Sequence, residues 1–105
     1  MDGAELIAAE RQRQVSEEGW TAEHDDTHFV GELAMAAATY AFPWPFVPTY
    51  LRDKYSSRKH LWPWGEDSFK PAGRGRERHD ERLRELAKAG ALIAAEIDRL
   101  HRIGE

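Results

Sequence analysis

LRELAKAGALIAAEIDRL, residues 83–100, is the stretch that decides the fold class. Its apolar positions step by three or four residues, which is the spacing of one face of an α-helix. These positions are Leu83, Leu86, Ala87, Gly90, Ile93, Ala94, Ile97 and Leu100. The pattern predicts a long helix over residues 75–102, with this stripe buried against the other helices. Gly90 on the stripe predicts a close crossing with one of them.

Two further helices precede this one. Residues 4–17 are rich in helix-favouring Ala, Glu, Leu, Arg and Gln, and residues 28–42 contain an alanine-rich run that Pro43 ends. We therefore predict an all-α fold, a small bundle of three main helices that forms a single domain over residues 1–105. Because alanines let a neighbouring helix approach closely, the second helix is expected at the centre.

A proline- and aromatic-rich insert separates the second and third helices, at about residues 43–73. It holds all five prolines, and eight of the eleven aromatic residues fall between Phe42 and Phe69. A structureless connection of this length is unusual in a compact domain. The insert is expected to cover the core as a flap or to form a ligand lid or a subunit contact, with a short helix at residues 49–57. Since its aromatic surface exceeds what three short helices cover, we expect at least a dimer with part of the insert at the contact.

The composition excludes several classes of protein. The chain has no cysteine, so it has neither disulfides nor thiol catalysis. No apolar run approaches the roughly 20 residues of a membrane span. The acidic start MDGAE lacks the basic region of a signal peptide, which predicts a cytoplasmic protein. The net charge of −4 combines an acidic segment 1–32 with a basic segment 52–88, and this total does not suit a duplex-DNA binder.

The junction between the first two helices carries the candidate chemistry. EEGWTAEHDDTH, residues 17–28, combines acids, two histidines and a tryptophan. Gly19 predicts a tight turn, and Asp26 or Thr27 is expected to cap the helix that follows.

The first helix adds two polar residues to its inward face. Glu10 lies three residues after Ile7, and Gln14 lies four after Glu10, so the apolar stripe turns polar halfway along the helix. A buried acid at Glu10 needs a partner, a proton or a ligand.

Several short motifs together resemble those of a family of small helical proteins encoded by bacteriophages and prophages. The motifs are ERQRQ (10–14), EGW (18–20), HDD (24–26), GELA (31–34), YA (40–41), WPW (62–64), KAGALI (88–93) and EI (96–97). The resemblance spans nearly the whole chain. It implies a phage accessory protein in the cytoplasm of an infected or lysogenic bacterium, and it implies no particular activity.

A more distant resemblance is to the all-α nucleotide pyrophosphohydrolases of the MazG type. Those proteins place paired acids on two helices, commonly as Glu-x-x-Glu and Glu-x-x-Asp, to hold magnesium against the phosphates of a nucleotide. In this chain the acids for such a site would be Glu10, Asp25, Asp26 and Glu32. Glu10 stands alone on its inner face, and Glu32 has no acid three residues later. Magnesium is expected only in this alternative.

Our leading hypothesis is that the protein binds a nucleotide-derived small molecule. Tryptophans suit stacking on a base, cationic side chains suit phosphates, and acids suit ribose hydroxyls or an adenine amine. The predicted ligand-binding residues are Glu10, Arg11, Arg13, Gln14, Trp20, His24, Asp25, Asp26, Trp62, Trp64 and Lys88. A phage protein with such a site would sequester a signalling nucleotide of host immunity, as a homo-oligomer and without a cofactor.

Other interpretations stay open. His24, His28 and Glu32 follow one another at a spacing of four, which on a helix would present a transition-metal site. The histidine and the aspartates of the junction would otherwise cap the second helix and pair with nearby arginines. The third functional class is a protein that inhibits a host enzyme by direct contact, with the insert as its interface. No Gly-rich phosphate loop or Ser-His-Asp order appears in the sequence.

Overall fold

Four α-helices organise the described part of the chain. The structure is a computed structural model that describes residues 1–43, 58–65, 68–70 and 79–104. The helices are α1 (Gly3–Ser16), α2 (Ala22–Asp26), α3 (Glu32–Ala41) and α4 (His79–Arg102), and a 3₁₀ turn spans Arg58–Leu61. The three main helices of the predicted all-α bundle are α1, α3 and α4. No helix within these ranges is both long and apolar enough to cross a membrane.

Local sequence sets the start of α1 and of α2. Asp2 Oδ1 accepts from Glu5 N at 2.9 Å while Glu5 Oε1 accepts from Asp2 N at 3.0 Å, and this capping box starts α1. Gly19 has a φ of 73°, the left-handed conformation that the predicted tight turn needs. Thr21 then caps α2 by accepting from His24 N. The sequence did not predict α2, which lies inside the junction.

The predicted cap at Asp26 or Thr27 is wrong. The residue before α3 is Gly31, whose φ is 91° and which has no side chain to cap the helix. Asp26 instead ends α2 and pairs with Arg102 at 2.7 Å. The chain uses the left-handed glycine to turn into α3, so this helix begins later than predicted.

The core lies between α3 and α4, and α3 is central to it. The buried apolar residues of α3 follow the i, i+3, i+4, i+7 spacing of one helix face. The buried core cluster consists of Leu33, Ala36, Ala37, Tyr40, Trp62, Phe69, Ala89, Leu92 and Ala95. The alanines on both helices allow the predicted close approach. Trp62 and Phe69 show that part of the insert covers the core.

Most of the apolar stripe of α4 is not buried as predicted, although its Ala87 is buried. Leu86, Ile93 and Ile97 are 44%, 49% and 47% exposed. The buried residues of α4 are Glu85, Ala87, Ala89, Ala91, Leu92, Ala95 and Arg99. Most of these lie on the opposite side of the helix from the stripe, because successive residues are about 100° apart. The prediction is wrong because alanines, one leucine and two charged residues face the core in place of the largest apolar side chains.

A buried ion pair ties the insert to α4. Arg58 donates to both carboxylate oxygens of Glu85, at 2.5 and 2.8 Å. Both side chains are buried, and an unpaired charge there would be costly. The pair therefore allows Glu85 to face the core.

Gly90 marks a close crossing with α1, as predicted. A Cβ atom built at Gly90 would lie 2.5 Å from Ile7 Cδ1. Because Ile7 occupies this crossing, the next inward positions of α1 are Glu10 and Gln14. The crossing thus places the polar half of α1 beside α4.

Some predictions lie outside the described residues. They concern the short helix at residues 49–57 and residues 75–78 of the third helix. The predicted subunit contact, which involves part of the insert, stays a prediction.

Candidate functional site

Two pockets adjoin at Trp20 and Ser68, which line both of them. The first, called the aromatic pocket here, has a volume of about 280 Å³ and is lined by Trp20, His24, His28, Leu33, Trp64, Ser68 and Leu92. The second, the polar pocket, has a volume of about 420 Å³ and is lined by Glu10, Arg13, Gln14, Glu18, Trp20, Tyr40, Ser68, Lys70 and Lys88. Together they have the size and the mixed chemistry of a small-molecule site.

The aromatic pocket is walled by rings from the junction and the insert. The rings of Trp20 and His24 lie in parallel planes with centroids 6.1 Å apart. The His28 ring meets the His24 ring edge-on, with centroids 5.0 Å apart, and its centroid lies 4.8 Å from that of Trp64. Such a wall of π-faces suits a flat heteroaromatic ring.

The backbone of Trp20 is fixed by α1. Its N–H donates to Gln14 O at 3.0 Å, and its carbonyl accepts from Arg11 Nη1 at 3.3 Å. Arg11 also binds the fully buried Asp25 at 2.9 Å. The backbone of the tryptophan that lines both pockets is therefore held in place before any ligand arrives.

Arg13 lies at the centre of the charges in the polar pocket. It donates two hydrogen bonds of 2.8 Å to Glu10 and one of 3.0 Å to Glu18. These bonds raise the pKa of Arg13 above its ordinary value, and the bond from Arg13 lowers the pKa of Glu18. The predicted partner of Glu10 is thus a neighbouring arginine, and the positive charge of Arg13 is already balanced by carboxylates.

Gln14 contributes a buried hydrogen-bond acceptor to the wall of the polar pocket. The side chain is 1% exposed, and its Nε2 donates to Glu10 Oε2 at 3.3 Å. A carboxylate can only accept hydrogen bonds, so the Gln14 amide points its nitrogen, and not its oxygen, at Glu10. Gln14 Oε1 has no hydrogen-bond partner among the described residues. A buried acceptor without a partner costs about 1–3 kcal/mol, which a ligand donor would recover.

Lys70 and Lys88 supply the cations of the polar pocket that are not neutralised. Lys88 Nζ donates to Lys70 O at 3.1 Å and lies 5.4 Å from the centre of the Tyr40 ring. Burial lowers the pKa of Lys88. Within the part of the chain that the structure describes, neither ammonium forms an ion pair with a carboxylate. Both charges are available to an anion.

The structure brings most of the predicted ligand-binding residues to the two pockets. Those that line a pocket are Glu10, Arg13, Gln14, Trp20, His24, Trp64 and Lys88.

Four predicted residues do not line either pocket. Arg11 and Asp25 pair with each other, and Asp26 pairs with Arg102. Trp62 is buried in the core and donates from Nε1 to Ser68 Oγ at 2.9 Å. The charges that were predicted to hold phosphates or ribose at these positions already have protein partners. The alternative in which the aspartates pair with nearby arginines describes Asp25 and Asp26 correctly.

The carboxylates proposed for magnesium are not brought together. Glu10 binds Arg13, and His28 Nδ1 lies 3.5 Å from Glu32 Oε2. Asp25 and Asp26 have the arginine partners already described. Across the described residues, no three His, Asp or Glu side chains form a group that could hold a metal ion. The same holds for the proposed zinc set of His24, His28 and Glu32.

Several pocket residues were absent from the predicted ligand-binding set. They are Glu18, His28, Leu33, Tyr40, Ser68, Lys70 and Leu92. Glu18 and His28 lie in the same polar junction as Trp20 and His24. Their position beside these predicted residues was the signal that could have identified them. Ser68 and Lys70 come from the insert, where no periodic pattern indicates which side chain faces the bundle.

Comparisons with known proteins returned no matching family model, curated protein or solved structure.

Proposed function

We propose that the protein binds a nucleotide-derived small molecule, with its base in the aromatic pocket and its phosphate in the polar pocket. The observation that carries the proposal is the shared wall, because Trp20 lines a ring-walled pocket on one side and a charged pocket on the other. A ligand that joins a flat ring to an anionic group matches this arrangement. Stacking on aromatic rings contributes about 1–3 kcal/mol per base, and two lysines that form no ion pair with the described carboxylates favour a phosphate.

We also propose that the ligand is held and not converted. A pyrophosphohydrolase needs carboxylates gathered around magnesium, and the proposed acids are instead dispersed among arginine and histidine partners. Together with the resemblance to phage proteins, this favours a homo-oligomeric sponge that sequesters a host immune signal in the bacterial cytoplasm.

The direct test is to ask what the protein takes up. Purified protein is incubated with a panel of nucleotides, separated from unbound ligand and denatured, and the released molecule is identified by mass spectrometry. We expect an intact nucleotide derivative. Recovery of a hydrolysed product would favour the pyrophosphohydrolase, and a complete lack of uptake would favour inhibition of a host enzyme by direct contact.

Trp20→Ala tests the shared wall. We expect it to weaken binding by about 5- to 150-fold, since it removes one stacking surface. Phe29→Ala is the matched control, because Phe29 is 70% exposed and lines neither pocket. Equal affinity of the two variants would contradict the assignment of Trp20.

A further inference from the structure

The charge on the walls of the polar pocket limits the charge of its ligand. Among the described residues, Glu10 and Glu18 contribute two negative charges, and Arg13, Lys70 and Lys88 contribute three positive ones. Arg13 binds both acids and balances one of their two charges, so these five side chains together carry a net charge of +1. A triphosphate would place about four negative charges beside two carboxylates, whereas a phosphate with one charge is matched by this wall.

Gln14 adds a second requirement that is independent of charge. Its Oε1 is buried, lacks a partner among the described residues and belongs to a pocket-lining side chain. The bond from Nε2 to Glu10 orients the amide, so the oxygen is the end that lacks a partner. A ligand group at this point must therefore donate a hydrogen bond, as a sugar hydroxyl does and a phosphate oxygen does not.

We propose that the polar pocket selects a nucleotide that carries a singly charged phosphodiester next to a free ribose hydroxyl, with the phosphate on Lys88 and Lys70 and the hydroxyl on Gln14. This inference rests on the proposed function, which it narrows to a ligand class. It distinguishes a phosphodiester ligand from nucleosides and from nucleoside triphosphates.

Titration calorimetry with defined probes tests the selection. The probes are the nucleosides, the 3′,5′-cyclic monophosphates and the 5′-triphosphates of adenine and guanine, together with the 2′-deoxy forms of the cyclic monophosphates. For at least one base we expect the cyclic monophosphate to bind at least tenfold more tightly than both its nucleoside and its triphosphate. The ribose form should bind about three- to tenfold more tightly than the 2′-deoxy form. If the triphosphate or the nucleoside binds as tightly, this inference fails while the proposed function stands. If no probe binds, both fail.

Two variants assign the selection to its residues. Lys88→Gln should cut affinity for the cyclic monophosphate by about ten- to a hundredfold while leaving nucleoside affinity unchanged. Arg102→Gln removes the same charge from an exposed position on α4 that lines neither pocket, and it should leave both affinities unchanged. Gln14→Leu should remove the preference for ribose over 2′-deoxyribose. Retention of that preference with unchanged thermal stability would overturn the role of Gln14.

Discussion

At the residue scale, the buried pair of Arg58 and Glu85 has the clearest energetic consequence. Glu85→Ala leaves a buried guanidinium without its carboxylate partner, which typically costs 3–5 kcal/mol. We expect a loss of about that size in the free energy of unfolding measured with urea. Asp98→Ala on the exposed side of the same helix is the control and should change stability by less than about 0.5 kcal/mol. Similar losses for the two variants would argue against a buried pair.

The contact of Gly90 with Ile7 predicts a coupling between two positions far apart in sequence. Alanine at Gly90 gains about 1 kcal/mol of helix propensity, but its Cβ would meet Ile7 at 2.5 Å. We therefore expect Gly90→Ala to be more favourable in an Ile7→Ala background than in the wild type, by about 0.5–3 kcal/mol. A double-mutant cycle of unfolding free energies measures this difference. Additive effects would show that the helices do not cross at this point.

Lys88 predicts a pH dependence of binding. Burial lowers its pKa in the folded protein, so the folded state holds fewer protons than the unfolded state between this pKa and the ordinary value. The free energy of unfolding should accordingly rise with pH across that window. Affinity for a phosphate should fall there, because the ammonium loses its charge. Calorimetry at increasing pH should show this loss in the wild type, whereas Lys88→Arg should retain affinity to a higher pH.

At the scale of elements, the helices were predictable and the orientation of α4 was not. Periodicity and Pro43 located the three main helices, because spacing and backbone restriction act locally. The stripe of Leu86, Ile93 and Ile97 has the right spacing for a core face, yet Glu85 faces inward through its pair with Arg58. Arg58 comes from the insert, and no local pattern in α4 reports a partner so distant in sequence.

The buried face of α4 can be tested with neighbouring residues. Leu92 is 1% exposed and Ile93 is 49% exposed. We expect Leu92→Ala to cost about 2–5 kcal/mol, the range for a large-to-small change in a core, and Ile93→Ala to cost less than about 1 kcal/mol. If Ile93→Ala lowers the melting temperature more than Leu92→Ala does, Ile93 is the core residue, as the apolar stripe in the sequence predicts.

At the scale of the whole molecule, apolar side chains on one face of α4 stay exposed. Leu83, Leu86, Ile93 and Ile97 are 42–49% exposed at helical spacing, and contiguous apolar patches commonly mark contact sites. Like the aromatic surface of the insert, this exposed apolar face leads us to expect at least a dimer. Multi-angle light scattering should give at least twice the mass of one chain at micromolar concentration. A single-chain mass across the accessible concentration range would contradict it.

The candidate site illustrates what a sequence can and cannot specify at this scale. Glu10, Gln14 and Trp20 were predictable because the polar break in α1 and the junction are local features. Asp26 and Trp62 were misplaced, because which chemically suitable side chains reach a pocket depends on tertiary contacts. The Trp62 ring is buried in the core, and the Asp26 carboxylate pairs with Arg102.

The central claim is that the two pockets form one site that binds a nucleotide without converting it. Its most direct test is titration calorimetry with the nucleotide recovered from the uptake experiment, for wild type, Trp20→Ala and Glu10→Gln, each with and without a magnesium chelator. We predict that wild-type binding survives the chelator. Trp20→Ala should weaken the affinity at least fivefold. Glu10→Gln should reduce the binding free energy by about 0.5–3 kcal/mol, the contribution of a hydrogen bond. Loss of binding with the chelator, or recovery of the ligand in hydrolysed form, would contradict the claim and support a magnesium-dependent pyrophosphohydrolase.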